Sequence, residues 1–257
     1  MPATDYDWRL SVEGSGEPLV LVCGMDGTGQ LFYRQVPLLV RASYRVATYA
    51  LRSDAASMET LIEDLGRVID TVAPETRRAI VVGESFGGAL VMSFALARPQ
   101  QVSALLVVNS FSRFTPTLNL RLARLGLKLI PWRAMSLIRR ATAFRFHSPS
   151  THRDDIRRFL RITAGASRAG YLNRLKLLLS YDVRQRLHDL RVPTLFLAAD
   201  QDHLVPAVRQ ARFMAGRVPN ATLQVLHRHG HACLIAPDVD LAAILAMWRA
   251  RGPERLL

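Results

Sequence analysis

The chain has 257 residues, with 49% hydrophobic and 21% charged residues, enough for one large domain with a full core. Its 34 Lys and Arg against 21 Asp and Glu leave a net charge of +13, and two cysteines exclude a disulfide-built scaffold. The N-terminus lacks the charged start and apolar run of a signal peptide, and no apolar run approaches the ~20 residues of a membrane span, so a reducing, cytoplasmic setting is expected.

Residues 8–24 read as a hairpin turning at Gly14-Ser15-Gly16. Apolar runs then follow at 44–51, 78–84, 102–110, 193–200 and 221–227, each suited to a strand buried on both faces. Helical periodicity lies between them. Residues 58–72 put Leu61, Leu65, Val68 and Val72 on one stripe, and a helix starting at Gly87 ends before Pro99. Residues 205–216 and 239–250 read as two more helices. This alternation predicts an α/β fold, with a mostly parallel twisted sheet and helices on both faces.

The alternation stops at about 111. Residues 111–190 read as helical and basic, so the expected division is a core of 1–110 and 191–257 with 111–190 inserted as a helical cap. From Arg113 to Leu190 there are 17 Lys and Arg against 4 Asp and Glu, so this segment carries the whole charge imbalance. Within 118–144, Leu118, Leu122, Leu125 and Leu129 form a stripe while Arg121, Arg124 and Lys128 face elsewhere. That suits a cap helix with a solvated positive face. It also suits an anionic membrane surface or an acidic acyl carrier protein as a partner. No nucleic-acid-binding motif accompanies the charge, so nucleic acid is not expected as a partner.

Gly83-Glu84-Ser85-Phe86-Gly87 matches G-x-S-x-G between an expected strand and helix. A serine held in that tight turn projects its hydroxyl past the sheet edge, and glycines are needed where side chains would collide with neighbouring backbone. The helix N-terminus behind it favours developing negative charge. Ser85 is therefore the candidate nucleophile. It needs a base and an orienting carboxylate. The loop after the 193–200 strand offers Asp200 and Asp202, and the loop after the last strand offers His227, His229 and His231. A zinc reading of His-x-His-x-His lacks accompanying ligands, so no metal and no cofactor are expected. Gly27-Thr28-Gly29 lacks the lysine of a phosphate-binding loop.

With these motifs in this order, the sequence resembles the α/β-hydrolases over nearly its whole length. The resemblance implies the acid in a D-x-x-V-P loop, which Asp202 to Pro206 matches, and the base after a glycine, which Gly230-His231 matches. It implies an oxyanion hole from the backbone N–H groups of Met25 and Phe86, with Cys23 standing where the family commonly has histidine. Gly24, Asp26 and Glu84 flank these residues and are expected to touch substrate. The cap at 111–190 would cover the site. The implied activity is serine-dependent hydrolysis of a small acyl ester with an apolar acyl group. Thioesterase or acyltransferase chemistry, including a methyl esterase acting on a carrier-bound acyl chain, is the enzymatic alternative. A catalytically silent small-molecule receptor on the same fold is the other.

Overall fold

The computed structural model describes residues 9–114 and 146–251. The amphipathic stretch at 118–144 lies outside the described residues.

The strands are β1 (Ser11–Glu13), β2 (Glu17–Val22), β3 (Tyr44–Thr48), β4 (Ala79–Glu84), β5 (Val102–Val108), β6 (Thr194–Ala199) and β7 (Ala221–Leu226). They form one sheet in the order β1-β3-β2-β4-β5-β6-β7. All neighbouring pairs are parallel except β1 with β3. Residues 19–22, 79–83 and 194–199 are buried throughout, as expected for central strands covered on both faces.

One expectation is corrected. β1 and β2 are not a hairpin: β1 pairs antiparallel with β3, Ser11 opposite Thr48. β2 instead lies between β3 and β4. The glycine pair does turn the chain, with φ of +78° at Gly14 and +108° at Gly16. The turn runs hard against the start of β3: a Cβ on Gly14 would stand 2.5 Å from the Tyr44 carbonyl oxygen. The turn therefore steps over β3 rather than folding β1 back on β2. The apolar, two-face-buried β2 takes the interior place, and the exposed β1 takes the edge.

The helices are α1 (Gln35–Arg41), α2 (Met58–Val72), α3 (Phe86–Ala97), α4 (Arg153–Ala164), α5 (Arg168–Ser180), α6 (Ala207–Ala215) and α7 (Leu241–Arg251). α2 begins at Ser57, whose hydroxyl accepts from the Thr60 N–H at 3.4 Å. Its buried stripe of Leu61, Leu65, Val68, Ile69 and Val72 follows the helical period. Truncating Leu65 to Ala would cost about 2–5 kcal/mol. α3 is apolar all round because it lies against β4, β5 and α2 at once. α1 packs with α7, and α6 lies on β6 and β7. Buried Gln35 ties α1 to the C-terminal part of the chain: its amide donates to the carbonyls of Leu234 (2.7 Å) and Val239 (2.9 Å) and accepts from Leu241 N–H.

In the 111–190 segment the described residues hold α4, α5 and a 3-10 turn at Arg184–Asp189. Asp155 of α4 accepts hydrogen bonds from Tyr33 Oη (2.8 Å) and Arg34 Nε (3.0 Å) and Nη2 (2.5 Å). This anchors α4 beside the residue 30–34 turn. No helix among the described residues is long and apolar enough to cross a membrane.

Candidate active site

β4, β5, β6 and β7 run parallel as neighbours, and the candidate side chains stand past the carboxyl ends of β4, β6 and β7. Ser85 follows β4 and is the N-cap of α3, with φ +57° and ψ −116°. A positive φ on serine is strained backbone, and this turn aims the side chain away from the sheet. The glycines are sterically required. A Cβ on Gly83 would strike the Gly87 carbonyl, and one on Gly87 would strike the Val22 carbonyl. From the next strand, Ser110 Oγ donates to the Ser85 carbonyl at 2.7 Å and braces the turn.

His231 Nδ1 lies 2.7 Å from Asp202 Oδ2. The other oxygen of Asp202 accepts from the N–H groups of Leu204 (2.8 Å) and Val205 (2.9 Å), so the carboxylate is fixed at both ends. The Asp202 side chain is fully buried and that of His231 is 11% exposed. A carboxylate at Nδ1 places the proton there and leaves Nε2 free to accept. Burial works against the charged imidazole, but the Asp202 charge, its hydrogen bond and the Glu84 charge outweigh it. The His231 pKa is raised above its ordinary 6.5.

Asp200 is directed elsewhere. It accepts from His227 Nδ1 (3.0 Å) and Arg228 N–H (2.7 Å) at the surface. His229 Nε2 reaches Asp238 at 3.3 Å. The three histidines therefore address three different aspartates, and among the described residues no group of His, Cys, Asp and Glu is arranged to hold a metal ion.

Ser85 and His231 line one cavity of about 260 Å³ together with Gly24, Met25, Asp26 and Glu84. Its walls are mainly apolar: buried Leu31 and Ile235 and exposed Leu204 come from the sheet-bearing part of the chain, and Phe146 and Phe159 from the 146–180 segment. Among the described residues the Met25 N–H has no hydrogen-bond partner. Phe86 opens α3, so its N–H belongs to the unsatisfied first turn. Both donors belong to residues flanking Ser85 in space or in sequence. A Cβ on Gly24, the residue before Met25, would stand 3.5 Å from Ser85 Cβ.

Glu84 is one of the residues lining this cavity. Burial pushes its pKa up to about 7; His231 opposes that shift, and Asp26 and Asp202 add to it. Asp26 Oδ2 accepts from Thr28 N–H (2.9 Å) and Oγ1 (2.5 Å), which closes the turn that begins at Gly24. Cys23 and Cys233 are buried free thiols. Burial, with Asp26 adding, pushes the Cys23 thiol up to about 12, so it stays protonated.

Two residues of the site escape sequence reasoning. Asn109, buried at the end of β5, donates to the His231 carbonyl (2.8 Å) and accepts from Ala199 N–H (2.8 Å). It thereby joins the acid-bearing and base-bearing strand ends. The available signal is an amide closing an otherwise apolar strand, because a buried amide must find partners. Arg174 on α5 is 1% exposed and bonds to the Gly24–Gly27 loop.

Sheet order, strand-to-helix turn and site position are those of the α/β-hydrolases, and the chain belongs to that class. Residues 45–238 match the family described as serine aminopeptidase, S33, and the chain is a member of it. Among curated proteins it is similar to the "Putative carbamate hydrolase RutD" of Azorhizobium caulinodans, 28% identical over 249 residues, covering 91% of this chain and 92% of that one. It is also similar to the 2-hydroxy-6-oxononadienedioate/2-hydroxy-6-oxononatrienedioate hydrolase of Cupriavidus pinatubonensis, 27% identical over 249 residues, covering 89% and 85%. Among solved structures a hydrolase from Pseudomonas aeruginosa shares the fold, with a TM-score of 0.81, 21% identity and 93% coverage of both chains.

Proposed function

We propose that this hydrolase cleaves carboxylic esters of apolar acyl groups through a Ser85–His231–Asp202 triad. The observation that carries the reading is the 2.7 Å bond from buried Asp202 to His231, with His231 and strained Ser85 lining one apolar-walled cavity. Ser85 Oγ attacks the acyl carbon while His231 Nε2 takes its proton. Asp202 holds the tautomer and stabilises the imidazolium. The Met25 and Phe86 N–H groups receive the oxyanion, each contributing about 3 kcal/mol to lowering the barrier. His231 then returns the proton to the departing alkoxide, which leaves as the alcohol. Water, deprotonated by His231, releases the acid from the acyl-enzyme. A serine at the nucleophile position does not suit dehalogenation or epoxide opening, which need a carboxylate there. Thioesters and acyl transfer would use the same acyl-enzyme.

A second reading has one observation in its favour. Asp26 and Glu84 line the cavity beside Ser85, and a carboxyl group there could accept an N–H that a carbamate has and an ester lacks. The relative from Azorhizobium caulinodans bears a carbamate hydrolase name. Comparing kcat/KM on matched aryl esters and N-alkyl carbamates separates the two. The ester reading expects the ester to be favoured, and a reversed preference selects the carbamate.

The general test is p-nitrophenyl ester hydrolysis across acyl lengths, with Ser85→Ala as control. Turnover that vanishes in the control supports the reading. Tight ligand binding without turnover in either protein supports a receptor instead. The basic 111–190 segment remains the ground for proposing an anionic partner, a membrane surface or an acidic carrier, met in the cytoplasm. Co-sedimentation with anionic liposomes or with an acidic carrier protein, lost at high salt, would support it, and absence of binding at low salt removes it.

A further inference from the structure

We propose that Arg174 is a positioning residue that holds the Gly24–Gly27 loop so that the Met25 N–H points at the oxyanion site. The inference rests on the acyl-transfer reading above and adds a residue that reading does not use. Arg174 lies on α5, outside the sheet, yet it is among the largest fully buried side chains. Its Nε donates to the Met25 carbonyl at 3.1 Å and Nη2 to the Asp26 carbonyl at 3.2 Å, while Nη1 reaches the Arg52 carbonyl at 3.4 Å.

The slot that receives the guanidinium requires glycine. A Cβ on Gly27, whose φ is +70°, would lie 2.5 Å from the guanidinium carbon, and one on Gly170 would lie 3.0 Å from Nη1. The loop is closed on its other sides by Gly27 N–H to the Gly24 carbonyl (3.1 Å) and Leu51 N–H to the Gly27 carbonyl (2.9 Å). Two successive carbonyls, those of Met25 and Asp26, then remain for Arg174. Holding them fixes the two peptide planes that follow the Met25 N–H. A planar fork can grip two carbonyls on one loop and a third on another, which a lysine ammonium on a flexible stem does less well. Preorganisation of this kind acts on the transition state, where the oxyanion forms, and not on substrate binding. α5 also lends Tyr171 to the cavity wall, so the helical segment and the oxyanion loop are mechanically one unit.

Asn173 provides the control. It ties the same helix to the Ser53 carbonyl (2.7 Å), and among the described residues it makes no hydrogen bond to the Gly24–Gly27 loop. Arg174→Lys, Arg174→Met and Asn173→Ala are compared for thermal midpoint, p-nitrophenyl butyrate kinetics, fluorophosphonate labelling rate and amide exchange at residues 24–27. In folded Arg174→Lys, kcat falls about 10- to 100-fold with KM within about 3-fold, labelling slows in step, and exchange at 24–27 quickens. Asn173→Ala keeps kcat within about 2-fold of wild type. If Arg174→Met fails to fold, Arg174→Lys carries the test. Wild-type kcat together with unchanged exchange in folded Arg174→Lys overturns the proposal. An equal kcat loss in Asn173→Ala does so too, because it would make the role general docking of the helix. Absence of wild-type turnover on any ester tells against the acyl-transfer reading alone. Exchange at 24–27 in Arg174→Lys then decides the loop-holding claim, with faster exchange upholding it and unchanged exchange ending it.

Discussion

The loops after β6 and β7 meet at two histidine–aspartate pairs of the same chemistry. His231 and Asp202 are 11% and 0% exposed, whereas His227 and Asp200 are 79% and 33% exposed. The first pair lies beside a cavity and a strained serine; the second lies in solvent. A solvated pair gains little, about 0–1 kcal/mol, and orients nothing. An enclosed pair fixes a tautomer and retains a charge at low dielectric, which is what a general base needs. Pairing alone is therefore a poor mark of function, and the surroundings separate the two.

The strongest way to break the comparison is to remove one charge from each pair. Asp202→Asn is expected to lower kcat by about 10³- to 10⁴-fold. Asp200→Asn is expected to stay within about 2-fold of wild type. Steady-state kinetics at saturating ester decide it, and equal losses would dissolve the distinction.

A third histidine sharpens it. His147 is buried, among the described residues neither ring nitrogen has a hydrogen-bond partner, and it packs edge-on to Phe159 at 4.8 Å. Burial lowers its pKa to about 4, against a weak opposing pull from Asp155. Burial with a carboxylate raises a histidine, as at His231, and burial without a close one depresses it. His147 must stay neutral in the fold, while the unfolded chain takes the proton near pH 6.5. Stability is then present in full above that pH and falls as pH drops toward 4. The loss is about 3 kcal/mol over this window by linkage, an upper figure for a partly shielded ring. Chemical denaturation of wild type and His147→Leu from pH 7 to 4 reads it. The variant should lose less stability on acidification, and parallel curves would refute the assignment.

The smallest effect concerns Glu84. Its charge helps raise His231, and catalysis needs His231 neutral. The acidic limb of kcat/KM should therefore lie above pH 6.5 in wild type and move to lower pH in Glu84→Gln, by less than about one unit. A shift to higher pH would contradict the stated charge relation.

Much of this arrangement was legible from local pattern. Apolar runs mark buried strands, and the glycines around Ser85 mark a turn where only backbone fits. The order Ser, Asp, His after successive strands is what the resemblance to the α/β-hydrolases implies. The missing parts are those without local signatures. Asp200 and Asp202 share one loop two residues apart; the loop alone leaves both open, the D-x-x-V-P resemblance favours Asp202, and the fold shows Asp202 bonded to His231. β1 precedes a turn glycine pair as the first strand of a hairpin would, yet pairs with β3, because strand order depends on which strand can be buried on both faces. Asn109 and Arg174 act on backbone atoms 90 to 149 residues away in sequence, and a side-chain-to-carbonyl contact imposes no periodicity on either partner.

The most direct test of the central claim, that Ser85 is a nucleophile served by the enclosed histidine, is fluorophosphonate labelling followed by peptide mass analysis. A single adduct on the peptide holding Ser85 is expected, absent in Ser85→Ala and strongly slowed in His231→Ala. An adduct elsewhere, or none on a folded wild-type protein, would contradict it.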